Sequence, residues 1–350
     1  MSNLRQIILI LLSIILVTSC TSKKNTKTVA QVNVFIWSNY ISDQMVKKFE
    51  QTYNAKVILS HFASNEELLS KLQAGAIGYD VIVPSDYMVK IMTKLNLLQE
   101  LDKNKLPNAT LLDQSFLNQS YDPTNKYSLP YGWATSGIAI NKKFYKGPSI
   151  KSWKDLFENS QLKGKINLLD DNREVFAASL KHLGYSLNST VDAEVKNALQ
   201  YLKQVKSQIK SFNSDPMDMI LSGEVWATQM YSPDALQAQS KSNSDVEYII
   251  PEEGCTLSID NLAVPVGAKN VELAHAFINF LISEENNLDF VSKIYAGPVV
   301  KTTKAKLPIQ LKNNASLFPS KIILNKLEKL EDLGDKTSIL DQMWTEFKTF

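Results

Sequence analysis

Four short segments of the chain together supply carboxylate, aromatic and hydroxyl side chains. They are residues 37–40, 84–87, 170–174 and 258–261, and each is placed where a strand of an α/β fold is predicted to end. In open α/β sheets, ligands bind outside the carboxyl ends of the strands. Carboxylates form charge-assisted hydrogen bonds with ammonium groups, and aromatic rings add cation–π and apolar contacts. The combination therefore predicts a binding site for a small, slender organic amine.

The segment 170–174 has two compatible interpretations. Asp171 followed by Glu174 fits an acidic capping box, in which the N-cap side chain and the third helical side chain bond the backbone reciprocally. Both carboxylates also follow a predicted strand and would face a ligand cleft. Arg173, which lies between them, is expected to help keep the adjacent carboxylates ionised.

The aromatic residues Trp37 and Tyr40 and the acid Asp260 are individually weaker indications of a ligand site. Large rings that follow a strand often pack in the core instead of contacting a ligand. Asp260 precedes the apolar run that starts at Leu262, so a turn or strand-edge position is an alternative role. Their shared position after predicted strands is what favours a common site.

The composition weakens several classes of function. The chain has 350 residues with 38 Lys and Arg against 36 Asp and Glu, and this nearly balanced charge gives no electrostatic reason to bind nucleic acid. Its 3 histidines are far apart and have no metal-ligand spacing, so we expect neither a metal site nor a cofactor. It lacks the short motifs of common nucleotide-binding and hydrolytic enzymes, although Asp171 and Glu174 could resemble a glycosidase pair. A binding protein is therefore favoured over an enzyme.

The amino-terminal residues are typical of a secretory signal. Arg5 is followed by the apolar run 7–17 and by small residues up to Cys20, and this run is short for a transmembrane helix. The residues around this cysteine resemble a bacterial lipobox, which implies removal of residues 1–19 and lipid modification of Cys20. We expect residues 20–30 to form a lipidated start and flexible tether. An uncleaved membrane anchor and an unmodified cysteine are the alternatives.

Strand-like and helix-like patterns alternate in the first part of the chain. Runs 32–37, 56–60 and 79–83 are predicted strands, and helices are predicted over 43–53 and after a capping box at 64–67. This β-α-β-α-β order is typical of a mostly parallel sheet with helices on its faces. The mature length of about 320 residues exceeds one typical core, so two domains are expected.

A second α/β region is predicted further along the chain. It contains a strand over 165–169 and a helix over 192–206, and a later strand over 262–265 precedes a helix over 271–282. Residues 102–126 would form an unusually long loop, so some helix is expected there.

Six stretches of the chain resemble the spermidine/putrescine-binding solute receptors of ABC-type polyamine importers. The resemblance covers roughly residues 32–300, and its most specific stretches are 37–41, 64–66, 79–85, 170–176, 212–215 and 251–254. It implies an α/β, two-lobed periplasmic-binding-protein (type II) fold with a hinge and an interlobe ligand cleft. The implied lobes are residues 31–136 plus 259–303 and residues 137–258 plus 304–350.

The resemblance also implies which residues line the ligand cleft. The implied ligand-binding residues are Trp37, Ser38, Tyr40, Ser85, Asp86, Tyr87, Asp171, Glu174, Ser214, Tyr231, Ser258 and Asp260. The chain departs from the family pattern at Ser258, where the family has a large aromatic residue, and at Gly297, which stands near another. Asp86 is an additional acid, and Tyr231 stands where a tryptophan is common. The carboxylates are thus retained while the aromatic box is thinner.

Together these patterns predict an extracytoplasmic, periplasmic receptor that captures a polyamine between two lobes and delivers it to the permease subunits of an ABC importer. Carboxylates would hold the terminal ammonium groups, and aromatic rings would cover the methylene spacers. The lipid on Cys20 would anchor the receptor to the membrane. The alternatives are a sensor lipoprotein for a polyamine or another small cationic solute and, less favoured, a periplasmic enzyme.

Overall fold

Strands and helices alternate along most of the chain in the computed structural model, which describes residues 29–75 and 77–350. The predicted signal segment, Cys20 and most of the predicted tether lie outside these residues. Within the described ranges, no helix is both long and apolar enough to cross a membrane. Residues 31–350 form one compact unit.

The first part of the chain follows the predicted β-α-β-α-β order. Its first two helices begin where the hydroxyls of Ser42 and Ser64 each accept a backbone N–H at 3.2 Å. The second cap is not a reciprocal box, because the Glu67 carboxylate accepts the N–H of Ala63 instead of that of Ser64. The elements are β1 (Ala30–Trp37), α1 (Asp43–Tyr53), β2 (Ala55–Phe62), α2 (Asn65–Gln73), β3 (Val81–Ile82) and α3 (Asp86–Lys94).

The long connection before the next strand contains three short 3-10 helices, which confirms the expectation of some helix over 102–126. The carboxylates of Asp102 and Asp113 begin two of them, since each accepts a backbone N–H two residues ahead. The three helices are Lys103–Lys105, Pro107–Leu111 and Gln114–Phe116.

The longest described strand, β4 (Ser128–Asn141), pairs with different partners in its two halves. Its first half pairs antiparallel with β9 (Leu257–Ala263), and its second half pairs antiparallel with β7 (Ala227–Tyr231) and β8 (Val246–Ile249). The predicted lobe boundaries after residues 136 and 258 fall inside β4 and β9. The division into two lobes stays a prediction.

The remaining elements lie on either side of β9. Before it lie α4 (Trp153–Phe157), β5 (Ile166–Leu168), α5 (Asn172–His182), α6 (Asp192–Val205), β6 (Ile209–Phe212), α7 (Met217–Ser222) and α8 (Ser232–Lys241), with 3-10 helices at Ser160–Leu162 and Lys206–Gln208. After it lie α9 (Val271–Leu281), α10 (Glu284–Ile294), α11 (Thr303–Lys306), α12 (Ile309–Lys312), α13 (Lys321–Leu324) and α14 (Thr337–Thr349), with a 3-10 helix at Gly334–Lys336. The helices predicted over 192–206 and 271–282 are confirmed to within one residue at each end.

The strands form a mixed sheet in the order β2-β1-β3-β9-β4-β7-β5-β6, with β8 also paired to β4. Strands β1 and β3 are parallel, as are β5 and its neighbours β6 and β7, whereas β3–β9 and the pairs made by β4 are antiparallel. The expectation of a mostly parallel sheet is therefore only partly correct. Strand β9 enters from far along the sequence, and local periodicity does not reveal such an insertion.

Strand β9 begins at Leu257, earlier than the strand predicted over 262–265. Asp260 consequently lies inside a strand, so the interpretation of its segment as lying beyond a strand end is wrong. The reason is that Ser258 and Asp260 line a cavity while Ile259, between them, is buried in the core. Because polar and apolar residues alternate here, the continuous apolar run that predicts a strand starts only at Leu262.

Among the four apolar clusters of the described residues that hold the sheet and the helices together, two are the largest. One contains Phe49 and Phe277, whose rings pack edge to face with centroids 4.8 Å apart. The other packs Trp153 and Phe176 against Phe347 from the last helix. Burial of these large side chains supplies the apolar contact that holds the segments of the candidate site in place.

Candidate functional site

One cavity of about 250 Å³ is lined by residues that follow strands β1, β3 and β5, by the end of β7 and by the middle of β9. It brings together segments that are as distant in sequence as Tyr40 and Asp260, which are 220 positions apart. Their contact with a ligand stays a prediction. All the residues predicted to bind ligand line this cavity: Trp37, Ser38, Tyr40, Ser85, Asp86, Tyr87, Asp171, Glu174, Ser214, Tyr231, Ser258 and Asp260.

Asp260 is held by two hydroxyl donors. The Tyr40 hydroxyl donates to Oδ2 at 2.7 Å, and the Ser85 hydroxyl donates to Oδ1 at 2.7 Å. Ser85 is fixed in turn by Asn65, which accepts its backbone N–H at 3.0 Å and donates to its hydroxyl oxygen at 3.1 Å. Burial raises the pKa of Asp260 to about 6, and the two hydroxyls oppose this shift because they stabilise the ionised carboxylate. The network therefore holds Asp260 as an oriented acceptor.

Tyr40 combines the two roles that the sequence left open, packing and site contact. Its ring meets those of Tyr131 and Phe290 edge to face, with centroids 5.8 and 5.3 Å away, while its hydroxyl reaches Asp260. Gly132 lies beneath this arrangement, and a Cβ there would approach the Phe290 ring to 2.7 Å and the Tyr40 hydroxyl to 3.2 Å. Glycine is thus required for the close packing that aims the hydroxyl.

Asp171 caps helix α5, but the capping box predicted with Glu174 is only half formed. The Asp171 Oδ1 atom accepts the backbone N–H of Glu174 at 3.1 Å, and Oδ2 accepts the hydroxyl of Tyr231 at 3.3 Å. The Glu174 side chain turns away from the cap, and its Oε2 atom accepts the hydroxyl of Ser136 at 2.5 Å. The reciprocal bond is absent because Ser136 on β4 provides a competing donor.

Burial raises the pKa of both Asp171 and Glu174, because the ionised forms lose their hydration. The Glu174 charge raises the pKa of Asp171 further, whereas the hydrogen bond from Ser136 acts to lower that of Glu174. Arg173 also lowers the pKa of both acids, as predicted, but desolvation is the larger effect. The two carboxylates therefore need a further cation, or a proton, to be stable in this site.

Aromatic rings border the same cavity. The ring of Trp37 lies 4.4 Å from that of Phe62 and 6.1 Å from that of Tyr231, measured between centroids. The Arg173 guanidinium lies 5.1 Å from the centre of the Tyr87 ring. Rings and acids thus share the lining of one cavity.

Asp86, the additional acid beside Tyr87, is buried at the start of helix α3. Its Oδ1 atom accepts the Tyr87 N–H at 2.9 Å, and its buried Oδ2 atom has no hydrogen-bond partner among the described residues. Burial raises the pKa of Asp86 to about 7, while the nearby charge of Lys329 acts in the opposite direction. The free oxygen makes Asp86 a suitable acceptor for a cation.

Ser38, Ser214 and Ser258 supply hydroxyl groups to the lining. The Ser214 oxygen accepts the backbone N–H of Asp170 at 3.1 Å, which joins the loop after β6 to the loop after β5. Ser258 is only partly buried, as expected if no large ring fills its position.

The cavity also contains residues that the sequence analysis missed. Asp234 is the most important of these, because burial and the neighbouring Asp215 raise its pKa to about 7. Asn39 donates to Asp215 at 3.0 Å. Asp215 directly follows Ser214, and Asp234 lies one helical turn after Tyr231, so extending both segments would have found them. The other missed lining residues are His61, Phe62, Ala63, Asn65, Glu67, Ala134, Asn213, Pro233 and Leu330.

The chemistry of this lining is that of an acceptor for cations. In the described part of the chain, no group of three or more His, Cys, Asp or Glu side chains is arranged to hold a metal ion. The lining instead combines several acids with aromatic rings, which suits ammonium groups joined by apolar spacers.

Comparisons with known proteins agree with this geometry. The sequence profile of a family described as bacterial extracellular solute-binding protein matches residues 44–319. A Haemophilus influenzae protein named spermidine/putrescine-binding periplasmic protein 1 is 35% identical over 332 residues, which cover 94% of this chain and 91% of that protein. A Pseudomonas aeruginosa protein named putrescine/cadaverine-binding protein is 32% identical over 327 residues, 90% of this chain and 92% of that protein. A solved structure described as a putative spermidine/putrescine ABC transporter from Listeria monocytogenes is 35% identical with a TM-score of 0.86, over 91% of this chain and 98% of that chain.

Proposed function

The chain belongs to the bacterial extracellular solute-binding protein family, and from this premise we propose that its cavity captures a polyamine such as spermidine or putrescine. Members of this family are solute receptors and not enzymes. The predicted periplasmic-binding-protein fold is confirmed by the match to a solved structure over 91% of the chain. The chain is therefore an extracytoplasmic solute receptor, and the proposal concerns which solute it binds.

The observation that carries the proposal is the set of buried carboxylates around one cavity. Four lining acids, Asp86, Asp171, Glu174 and Asp260, are each at most 5% exposed. A buried carboxylate without a partner costs several kcal/mol, so such a set is stable only with protons or cations. Several acids around one cavity match a ligand that carries more than one ammonium group.

The rings match the remainder of such a ligand. Trp37, Tyr87 and Tyr231 present aromatic surface to the cavity, between the acids. A methylene spacer gains from apolar burial against a ring, and an adjacent ammonium gains from the ring's negative face. Proteins bind metal ions through oxygen, nitrogen and sulfur atoms and not through ring faces, so the rings support an organic cation.

The relatives support the same class of ligand. The proteins from Haemophilus influenzae and Pseudomonas aeruginosa are named for spermidine, putrescine and cadaverine, and each aligns over at least 90% of this chain. All three names are those of aliphatic polyamines. They support a polyamine as the ligand here and leave its chain length open.

We also propose that the receptor delivers its ligand to an ABC importer, because the chain belongs to the solute-binding protein family. The ligand would lie between lobe 1 (residues 31–136 plus 259–303) and lobe 2 (residues 137–258 plus 304–350), and contact with both would favour the closed state. Two pairs in the structure support this interpretation, since each joins the two proposed lobes. They are the ion pair between Lys94 and Asp332 and the contact of Arg173 with Tyr87. Permease subunits would then recognise the closed form.

Titration calorimetry tests the ligand class. We expect the purified protein to bind at least one of putrescine, cadaverine, spermidine and spermine, with heat that saturates at one ligand per chain. The matched control is 1,4-butanediol, which has the carbon chain of putrescine without its charges. Absence of binding by every amine would contradict the proposal, as would equal binding of the diol.

A membrane anchor at Cys20 is a separate part of the proposal. We expect the full-length protein expressed in bacteria to sediment with the membranes and to incorporate labelled fatty acid. The Cys20→Ala variant should lose the label and leave the membrane fraction. Labelling that survives this substitution would contradict lipid attachment at Cys20.

A further inference from the structure

Glu66 is an acid of this region that neither the sequence motifs nor the cavity lining assigns to the site. It lies in the first turn of α2, where its Oε1 atom accepts the hydroxyl of Tyr87 at 2.9 Å. The residue as a whole is partly exposed, but its Oε2 atom is buried and has no hydrogen-bond partner among the described residues. Glu66 therefore stands directly behind a ring that lines the cavity, with one free acceptor oxygen.

The charge of Glu66 acts on the acids of helix α5. Asp171 raises the pKa of Glu66, and Glu66 in turn raises the pKa of Glu174. We call Glu66, Asp171 and Glu174 the acid cluster. Its members lie at the starts of two helices, α2 and α5, that are more than 90 positions apart in sequence and that belong to different proposed lobes.

Arg173 is the cation that acts on all three members of the acid cluster. Its Nη2 donates to the backbone oxygen of Glu331 at 2.9 Å, and its Nη1 has no partner among the described residues. One guanidinium cannot neutralise three carboxylates, so the fully ionised cluster would keep two negative charges in a desolvated place. Neutral groups also face the cluster: Tyr87 from α3, Ser136 from β4, Tyr231 from β7, Tyr248 from β8, and Cys255 and Thr256 from the segment before β9.

We propose that Glu66 is a positioning residue of the binding site, and that the acid cluster exchanges a bound proton for an ammonium group of the ligand. The inference rests on the proposed function, because it takes the ligand to be a cation with ammonium groups. Burial and mutual repulsion raise the pKa of all three acids, which supports a protonated cluster in the unliganded protein.

The exchange is balanced in charge and in atoms. The polyamine enters with its ammonium groups protonated, the O–H bond of one cluster carboxyl breaks, and that proton passes to bulk buffer. The new carboxylate accepts a hydrogen bond from the ammonium group, which replaces the charge of the proton. Glu66 takes part through Tyr87, whose hydroxyl it holds, and through its repulsion of Asp171 and Glu174.

This exchange makes binding depend on pH in a defined direction. Protons compete with the ligand for the same carboxylates, so polyamine affinity rises as pH increases and levels off once the cluster of the unliganded protein is ionised. An acidic medium would favour release. A site with fully ionised acids would show no such dependence above about pH 5.

Calorimetry in buffers of different ionisation heat measures the exchange directly. Spermidine is titrated into the wild-type protein at pH 6.5 in phosphate, in MES and in imidazole, and the slope of observed heat against buffer heat gives the protons released. We expect release of about one proton per ligand. A heat of binding that is the same in all three buffers would overturn the exchange, although it would leave polyamine binding itself established.

The Glu66→Gln variant tests the role of Glu66 and keeps an acceptor for the Tyr87 hydroxyl. We expect it to bind spermidine with at most half of the wild-type proton release and a flatter dependence of affinity on pH. Glu285→Gln, which changes an acid that is 82% exposed, is the matched control and should behave as wild type. Undiminished proton release by Glu66→Gln would exclude Glu66 from the cluster, whereas failure of the wild-type protein to bind any amine would contradict the proposed function instead.

Discussion

Two groups of acids in and beside the cavity wall are stabilised in different ways. In the first group, a single carboxylate, Asp260, accepts hydrogen bonds from the hydroxyls of Tyr40 and Ser85. In the second, the acid cluster of Glu66, Asp171 and Glu174, carboxylates repel one another beside one arginine. Both groups are desolvated. Each oxygen of Asp260 accepts a hydrogen bond from a neutral hydroxyl, whereas the Oε2 atom of Glu66 in the acid cluster has no donor among the described residues.

The neighbouring side chains decide whether a buried acid is protonated or ionised. Two hydroxyl donors limit the pKa of Asp260 to about 6, so this carboxylate is largely ionised at neutral pH before ligand arrives. In the acid cluster, each member raises the pKa of another, and protons are held more tightly. The Asp260 group is thus a preformed acceptor, whereas the acid cluster changes its protonation when a cation enters.

The largest effect is expected from Asp260→Asn. This substitution keeps the size of the side chain and removes the charge from a fully desolvated ammonium contact, so polyamine affinity should fall at least 100-fold, or about 3 kcal/mol. Calorimetry measures the affinity, and circular dichroism confirms that the fold is retained. Asp218→Asn, at an exposed position, is the control. Unchanged affinity for spermidine at equal salt would mean that Asp260 is not a ligand.

Glu174→Gln should have a smaller effect, about tenfold to 100-fold on affinity, because Glu66 and Asp171 remain. The unliganded protein should melt at the same temperature or slightly higher, since the substitution relieves repulsion and breaks no capping bond. Ligand-induced stabilisation should be reduced. Thermal melting with and without spermidine measures both quantities.

Asp171→Asn provides the matched comparison for Glu174→Gln. Asparagine is also a good N-cap residue, so the start of α5 should be retained while a charge is removed. If Glu174→Gln instead lowers the melting temperature of the unliganded protein and leaves affinity normal, its role is structural.

The third prediction concerns stability and pH. Acids whose pKa is raised on folding bind more protons in the folded than in the unfolded state, so the free energy of unfolding falls as pH rises. For the unliganded protein the fall should extend from about pH 4, the pKa of unfolded carboxylates, to about pH 7. Asp260→Asn should make the slope shallower only below about pH 6, whereas Glu174→Gln should make it shallower up to about pH 7. Denaturant unfolding across this range measures the slope, and a stability that rises from pH 5 to 7 would refute the raised pKa values.

The smallest effect is expected from Ser258→Trp, which restores a large ring where the family has one. A ring adds about 1 kcal/mol of apolar and cation–π contact to a methylene spacer. We expect the ratio of putrescine to spermidine affinity to change several-fold, with little change in melting of the unliganded protein. Identical ratios in the two proteins would mean that Ser258 does not touch the ligand.

The elements predicted best from the sequence are those whose packing repeats locally. The helix over 43–53 has the predicted bounds, because Ser42 caps it and its buried Met45 and Phe49 are one turn apart. The predicted strand over 262–265 starts later in the chain than the observed β9, because the cavity-facing Ser258 and Asp260 interrupt the apolar pattern. Local periodicity detects a buried face and fails where a face lines a polar cavity.

The residue types of the site could be predicted from the sequence, but the hydrogen-bond partners of these residues could not. Asp171, Glu174 and Asp260 were recognised from acids placed among strand-like runs. Their hydrogen bonds to Tyr231, Ser136 and Tyr40 join residues 60, 38 and 220 positions apart, which no short motif records. Glu66 was identified only as part of a helix start, because its link to Tyr87 exists only after α2 and α3 pack together.

A crystal structure of the protein with spermidine tests the central claim most directly. The account predicts that the ammonium nitrogens of the ligand lie within hydrogen-bond distance, about 3 Å, of the carboxylate oxygens of Asp171 or Glu174 and of Asp260. It also predicts methylene groups against the rings of Trp37 and Tyr231. Spermidine bound elsewhere on the molecule, or in this cavity with its nitrogens away from these acids, would contradict the account.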